Sequence, residues 1–169
     1  AALWSLAIGD LDGDGKNEIV FLEETGITIS SFDSGALKTL THISQAPVRY
    51  ISAEATDIDG DGIAELIVCY LTPSGLASAI MKYKNRVFQV AERFPEIILR
   101  TIVESPVDKR ALVGQRTDVA DLFSGELVRF EDVEGRIKPT DPVRFPPGAL
   151  VLSQAAGELG KNKEFLRVI

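Results

Sequence analysis

The chain has 169 residues, of which 45% are hydrophobic, and its formal net charge is -7 at pH 7. This length is sufficient for one substantial core and gives no sign of a second domain. The acidic balance argues against nucleic acid as a partner, and no apolar run reaches the length of a membrane span.

The first predicted elements are two short hairpins, in which β-branched and aromatic runs are separated by glycine-containing turns. We expect these turns at Thr25-Gly26 and at Asp33-Ser-Gly35. The four strands are predicted at Leu3–Ile8, Glu18–Glu23, Ile27–Phe32 and Leu37–Ile43.

The chain opens on Ala-Ala-Leu-Trp without a signal peptide, as a mature product or an excised piece would.

An acidic nine-residue loop, Asp10-Leu-Asp-Gly-Asp-Gly-Lys-Asn-Glu18, separates the first two strands. Its acids stand at loop positions 1, 3, 5 and 9, and its glycines at positions 4 and 6. Alternating oxygen donors on a tightly turning backbone suit a hard cation such as calcium. Glycine permits the backbone conformations that such a turn requires. Without a cation, the clustered carboxylates would repel one another.

The loop recurs as Asp57-Ile-Asp-Gly-Asp-Gly-Ile-Ala-Glu65, and the first aspartates of the two copies are 57 − 10 = 47 residues apart. An EF-hand begins with similar alternating acids, but it requires a glutamate at loop position 12 and a following helix. Position 12 of the first copy is Phe21, and β-prone runs follow both copies. The EF-hand interpretation is therefore excluded.

A strand, this acidic loop and a second strand together resemble the calcium-binding FG-GAP (VCBS-type) repeat. The residues that carry the resemblance are Leu6–Val20 and Ala53–Val68, and it implies blades of a β-propeller. Two bound Ca2+ ions would change the net charge from -7 to -3. Position 9 is Glu where many relatives have Asp. The expected ligands are the side chains of Asp10, Asp12, Asp14 and Glu18 with the carbonyl of Lys16, and those of Asp57, Asp59, Asp61 and Glu65 with the carbonyl of Ile63.

Turn glycines extend the repeat beyond the acidic loops. Gly26, Gly75 and Gly125 are separated by 49 and 50 residues, a period typical of propeller blades. We expect a longer excursion over Gln115–Phe123, which is a poor strand sequence. The strands of the second and third units are predicted at Tyr50–Ala55, Glu65–Leu71, Leu76–Lys82, Val87–Ala91, Ile97–Val103, Ala111–Gln115, Glu126–Phe130 and Arg136–Lys138.

The C-terminal part is predicted to begin a fourth unit. Pro139–Gly148 contains four of the eight prolines, which favours a linker over a polyproline ligand. Two strands are expected after it, at Ala149–Ser153 and Glu164–Ile169. The loops of the third and fourth units, Ser105–Arg110 and Ala155–Lys163, lack the oxygen donors that a divalent cation requires.

The sequence therefore predicts an all-β propeller segment of four-stranded antiparallel blades, about three and a half in number, which form an incomplete ring. The blades are expected at about residues 1–47, 48–96 and 97–147, with a partial blade at about 148–169.

No catalytic motif is found, and we expect no enzymatic activity. His42 is expected at a solvated strand position, and the single cysteine, Cys69, as a buried thiol. Four aromatic residues are expected in the core, namely Trp4, Phe21, Tyr50 and Tyr70.

We expect a calcium-binding scaffold or protein-interaction module in the periplasm, at the cell surface or secreted. Its partner would be a protein or the remaining blades of a larger propeller. The alternatives are a lectin-like propeller that binds carbohydrate or another ligand, and the non-catalytic portion of a propeller hydrolase or lyase.

Overall fold

A computed structural model of the chain describes residues 3–44, 47–85, 87–103, 110–118, 122–133, 136–140, 142–144, 155–159 and 164–168. The described elements are all β-strands, and they pair into antiparallel sheets, none of which closes into a barrel. The chain divides into two compact units, Ala1–Ile98 and Leu99–Ile169. The predicted all-β class is confirmed, and the four-stranded sheets are consistent with propeller blades.

The first unit contains two four-stranded sheets, each formed by strands in chain order. Sheet 1 consists of β1 (Leu3–Gly9), β2 (Glu18–Glu23), β3 (Gly26–Asp33) and β4 (Ala36–Ser44). Sheet 2 consists of β5 (Arg49–Thr56), β6 (Glu65–Thr72), β7 (Gly75–Lys84) and β8 (Val87–Pro95). All eight strands were predicted, and the observed ones extend further at most of their ends.

The core of the first unit is formed by the facing sides of sheets 1 and 2. Alternation along β2 buries Val20 and Leu22, as expected when one side of a strand faces a core. On sheet 2, β6 is buried from Glu65 to Tyr70, so the prediction of a strand covered on both faces is confirmed. The core cluster comprises Ala7, Leu11, Val20, Leu22, Ile27, Ile29, Tyr50, Ala53, Leu66, Val68, Tyr70, Ala79 and Met81.

Two backbone hydrogen bonds join the sheets. The N–H of Tyr50 donates to the carbonyl of Glu24 at 2.8 Å, and the N–H of Ala64 donates to the carbonyl of Asp10 at 2.7 Å. Gly9 lies at the second contact, where an added Cβ would stand 3.0 Å from the Cβ atoms of Ala55 and Ala64. The acidic loop of sheet 1 is thus held against sheet 2.

A third sheet follows, with β9 (Ile97–Val103), β10 (Arg110–Asp118), β11 (Leu122–Val133) and β12 (Arg136–Pro139). The short strand β13 (Val143–Arg144) also pairs with β11. The strands β14 (Ala155–Leu159) and β15 (Glu164–Val168) form a separate two-stranded sheet. Within the second unit, Ala111 and Val113 of β10 pack with Ile102 and Leu127.

Several predictions for the second compact unit, Leu99–Ile169, were wrong. The excursion over Gln115–Phe123 is replaced by strand as far as Asp118 and again from Leu122, because Thr117 pairs with Phe123 after a register shift. Gly125 lies within β11 rather than in a turn, with φ of 73°. The expected loop at Ala155–Lys163 begins with β14, which pairs with β15. The expected strand at Ala149–Ser153 lies outside the described residues, as does 145–148 of the proline-rich linker.

Three of the four aromatic residues expected in the core are wholly or partly buried. Tyr50 and Tyr70 are buried with their rings 6.3 Å apart, edge to face, and Phe21 is half-buried. The prediction was wrong for Trp4, which is 55% exposed. Trp4 stands at a register shift of β1, whereas Ala7 is the β1 residue of the core cluster.

The remaining side-chain predictions in the first unit are confirmed. Cys69 is buried, with its Sγ 3.1 Å from the Ser78 Oγ. His42 is exposed on β4, and its Nδ1 lies 2.9 Å from the Thr28 Oγ1.

Candidate metal centre

Two acidic loops connect the first and second strands of sheets 1 and 2. Loop 1 comprises residues 10–18, and loop 2 comprises residues 57–65. In loop 1, φ is 77° at Gly13 and 82° at Gly15; in loop 2, it is 79° at Gly60 and 87° at Gly62. These values lie in the left-handed region, which favours glycine. The glycines at loop positions 4 and 6 therefore allow the same tight turn in both copies.

The turn directs backbone N–H groups at the aspartates of loop 1. The Asp10 carboxylate accepts hydrogen bonds from the N–H groups of Gly13 at 2.8 Å and Gly15 at 2.9 Å. Asp12 accepts one from Asp14 at 3.1 Å, and Asp14 accepts one from Lys16 at 2.8 Å. These bonds orient the carboxylates before any ion is bound.

Loop 2 repeats this hydrogen-bond pattern position by position. Asp57 accepts hydrogen bonds from the N–H groups of Gly60 at 2.7 Å and Gly62 at 2.9 Å. Asp59 and Asp61 accept from the residues two positions later, at 3.2 and 2.8 Å. The repetition seen in the sequence is therefore also a repetition of backbone geometry.

The glutamate at loop position 9 accepts a backbone hydrogen bond across the base of each loop. Glu18 is 2% exposed, and its Oε2 accepts a 2.8 Å hydrogen bond from the N–H of Leu11. Glu65 is 3% exposed and accepts a bond of the same length from Ile58. A glutamate at this position thus reaches back across the loop to its second residue.

Carboxylate oxygens converge in both loops. In loop 1, oxygens of Asp10, Asp12 and Glu18 all lie within 4.8 Å of one another. Calcium–oxygen distances are about 2.3–2.6 Å, so oxygens on opposite sides of one ion are about 5 Å apart. This donor set therefore fits a calcium ion.

The corresponding group in loop 2 consists of Asp57, Asp59 and Asp61. Asp14 and Glu65 lie in their loops but outside these two groups. The carbonyl groups of Lys16 and Ile63 stay predicted ligands.

The electrostatics of loop 1 favour a cation. Burial raises the pKa of Glu18, and the nearby charges of Asp12, Asp14 and Asp10 raise it further against the hydrogen bond from Leu11. A raised carboxyl pKa means that the ionised form is unfavourable in this environment. A cation placed among these groups would remove that disadvantage.

Loop 2 contains a group that sequence reasoning missed, the ammonium of Lys82 on β7. Its Nζ lies 2.9 Å from the Glu65 Oε1 and also contacts the Asp59 carboxylate. Burial works to lower the pKa of Lys82, but these contacts raise it well above its usual value. Burial works to raise the pKa of Asp59, but Lys82 holds it below its usual range. The pKa of Glu65 stays raised because burial outweighs Lys82.

Strand register explains why the contact of Lys82 with loop 2 was not predicted from the sequence. Glu18 pairs with Ser31 in sheet 1. In sheet 2, Leu66 pairs with Met81, so the next pair outward is Glu65 with Lys82. The separations are 31 − 18 = 13 and 82 − 65 = 17 residues, and the longer second hairpin shifts the lysine out of the 47-residue period. Aligning the two hairpins at Glu18 and Glu65 would have indicated that Lys82 lies opposite Glu65.

Comparison with known families supports the repeat assignment of the part of the chain that carries loops 1 and 2. The family model of the FG-GAP-like repeat matches residues 4–68, a stretch that contains both acidic loops. No curated protein matches the chain. Within the described residues, no helix is long and apolar enough to cross a bilayer.

Proposed function

Residues 4–68 match the family model of the FG-GAP-like repeat, and we propose that the chain is a calcium-stabilised, propeller-type interaction module that works outside the cytoplasm. The observation that carries the proposal is the convergence of Asp10, Asp12 and Glu18 oxygens within 4.8 Å. A hard divalent cation prefers oxygen donors of this kind.

The connection of loop 1 to the core supports a structural role for calcium. Leu11, the second residue of the loop, is fully buried in the core cluster. The carbonyl of the first residue, Asp10, accepts a backbone hydrogen bond from Ala64 of loop 2. Because the loop is part of the packing between the sheets, an ion bound there favours the folded state.

A compartment rich in calcium suits such a loop. Extracellular calcium modules bind with dissociation constants of about 10⁻⁴–10⁻³ M. At free calcium 100 times the dissociation constant, an ion that binds only the folded state adds about 2.7 kcal/mol to stability. The periplasm, the cell surface and the extracellular medium are the locations that we propose.

The outer face of sheet 1, which we define as Leu6, Ile8, Ile19 and Phe21, supports an interaction role. Leu6 pairs with Phe21, and Ile8 pairs with Ile19. Leu6 and Ile8 are 54% and 60% exposed. Contiguous exposed apolar side chains commonly mark interaction sites. The opposite side of the same sheet is covered by sheet 2. We propose that a further blade, or a protein with a similar apolar sheet face, covers the outer face.

The lectin-like alternative has less support from the arrangement of aromatic residues. Trp4 and Phe32 are 55% and 57% exposed. The register puts Trp4 beside the end of β2, where Leu3 pairs with Glu23, and Phe32 beyond its start, where Glu18 pairs with Ser31. They therefore lie at opposite ends of sheet 1 and do not form one stacking platform.

Thermal unfolding of the 169-residue chain tests the calcium proposal. We expect the melting temperature to be clearly higher in millimolar calcium than in a calcium chelator. Magnesium at the same concentration should have a smaller effect, because it demands near-ideal octahedral geometry and retains its water. Equal melting temperatures in calcium and chelator would contradict the proposal.

A further inference from the structure

Loops 1 and 2 have the same carboxylates and the same backbone hydrogen bonds, but their surroundings carry different charges. Lys82 contacts both Asp59 and Glu65 of loop 2. Opposite Glu18, the equivalent position in sheet 1 is Ser31. Lys16 lies within loop 1, but it is exposed and makes no ion pair in the described part of the chain. The two loops are therefore equivalent in shape and different in electrostatics.

The Lys82 ammonium is built into loop 2 rather than lying loosely on its surface. The Lys82 side chain is 29% exposed, and those of Asp59 and Glu65 are 22% and 3% exposed. Its position is set by β7, whose ladder with β6 runs without a register shift from Thr72–Gly75 to Leu66–Met81. Burying a carboxylate costs less when an opposite charge is paired with it, and for Glu65 that partner is Lys82.

A divalent cation and this ammonium compete for the same oxygens. Calcium must either displace the Lys82 contact with Asp59 or bind with fewer negative charges around it. Charge-assisted hydrogen bonds of this kind are among the stronger polar contacts in proteins. Calcium binding to loop 2 therefore includes the loss of an existing interaction, which loop 1 does not have.

We propose that Lys82 is a built-in counter-cation of loop 2, which replaces calcium there in stabilising the loop. This inference rests on the proposed calcium binding of loop 1 and deepens it. Loop 1 is the calcium-dependent loop, whereas loop 2 keeps its structure without calcium and binds the ion more weakly. The identity of one residue opposite the position-9 glutamate, serine or lysine, decides between the two behaviours.

Calcium titration of loop 2 alone tests the proposal. Asp12→Ala removes loop 1 from the titration, and Lys82→Met in that background removes the charge while keeping the aliphatic stem. We expect loop 2 to bind calcium about tenfold more tightly after this change, because a charged hydrogen bond contributes roughly a factor of ten or more. Lys84→Met is the matched control, since Lys84 is exposed on the same strand, and it should leave the affinity nearly unchanged.

The reciprocal change tests the same idea in loop 1. In an Asp59→Ala background, Ser31→Lys should weaken calcium binding to loop 1 by a similar factor, because the new ammonium lies opposite Glu18. Unchanged affinities in both the Lys82→Met and the Ser31→Lys experiments would overturn the proposal.

Melting in chelator separates this inference from the calcium proposal itself. Without calcium, Lys82→Met should lower the melting temperature more than Lys84→Met, because Glu65 loses its partner, and added calcium should restore it. If no variant binds calcium, the proposed function fails, and the chelator melts still decide whether Lys82 neutralises loop 2. Equal melting of the two lysine variants in chelator would overturn the counter-cation role.

Discussion

The N–H of Leu11 donates a 2.8 Å hydrogen bond to the Oε2 of Glu18 across the base of loop 1. Both residues are buried, Leu11 completely and Glu18 to 2% exposure. The same pair of residues thus links the core of the first unit to the carboxylates that converge in the loop. Substitutions at the two positions separate the contribution of packing from the contribution of charge.

Glu18→Gln removes the negative charge and keeps a carbonyl oxygen that can accept from Leu11. In chelator, we expect this variant to be at least as stable as the wild type, because a neutral amide replaces a carboxylate whose ionised form is disfavoured by burial, as the raised pKa of Glu18 indicates. In calcium, it should lose most of the stabilisation that loop 1 provides. Urea unfolding with and without calcium measures both effects, and a variant that is less stable in chelator yet fully stabilised by calcium would contradict the assignment.

Leu11→Ala leaves the backbone hydrogen bond to Glu18 in place and removes a fully buried side chain. A leucine-to-alanine change in a core costs about 2–5 kcal/mol, and we expect a loss of this size in urea unfolding, both in chelator and in calcium. Leu37→Ala is the control because Leu37 is 53% exposed on β4, and such a surface change stays within about 0.5 kcal/mol. Similar losses for the two variants would show that Leu11 does not link the loop to the core.

Leu6→Glu tests the outer face of sheet 1 as an interaction surface. If a second copy of the chain covers this face, the wild type should associate at high concentration and the variant should not, because a charge replaces an apolar contact. Val87→Glu places the same charge at a similarly exposed position on β8 of sheet 2, away from this face. Light scattering across a concentration series measures the effect; equal association of all three proteins would exclude the outer face from self-association.

Tyr50 gives a pH dependence that can be isolated by one substitution. Burial raises the pKa of Tyr50 above its ordinary value of 10.0, Tyr70 adds to the shift, and Arg93 opposes it. Above pH 10, the unfolded chain releases this proton before the folded chain does, so its contribution to stability is complete below pH 10 and is lost as pH rises through the raised pKa.

Tyr50→Phe should therefore show a shallower loss of unfolding free energy than the wild type as the pH rises above 10. Lys82, whose pKa is also raised, contributes the same slope to both proteins and cancels in the comparison. Parallel stability curves for the two proteins over this range would contradict the assigned shift.

Short-range patterns made the first unit predictable from sequence. Glycines, acidic loop positions and alternating apolar residues all act within a few positions of one another, and the eight strands of sheets 1 and 2 followed from them. The contact of Lys82 with Glu65 was not predictable in this way, because it depends on the strand register between β6 and β7. The exposure of Trp4 was missed because sequence patterns do not reveal which side of sheet 1 another sheet covers.

The second unit shows the same limit. Thr117 and Phe123 pair across an irregular stretch of β10 and β11, where the sequence has weak strand character. Pairing with a neighbouring strand overrides weak local propensity, so the expected excursion was replaced by strand. The acidic loops were predictable because their chemistry is local, and the pairing was not because it is set by partners distant in sequence.

Calorimetric titration of the 169-residue chain with calcium, beside its Asp12→Ala and Asp59→Ala variants, tests whether loop 1 is the tighter calcium site. We expect a tighter binding event that is lost in Asp12→Ala and a weaker one that is lost in Asp59→Ala. Asp33→Ala, which removes an exposed acid outside both loops, should retain both events. A wild-type chain that takes up no calcium, or an Asp12→Ala variant that still shows the tighter event, would contradict the assignment of loop 1 as the calcium site.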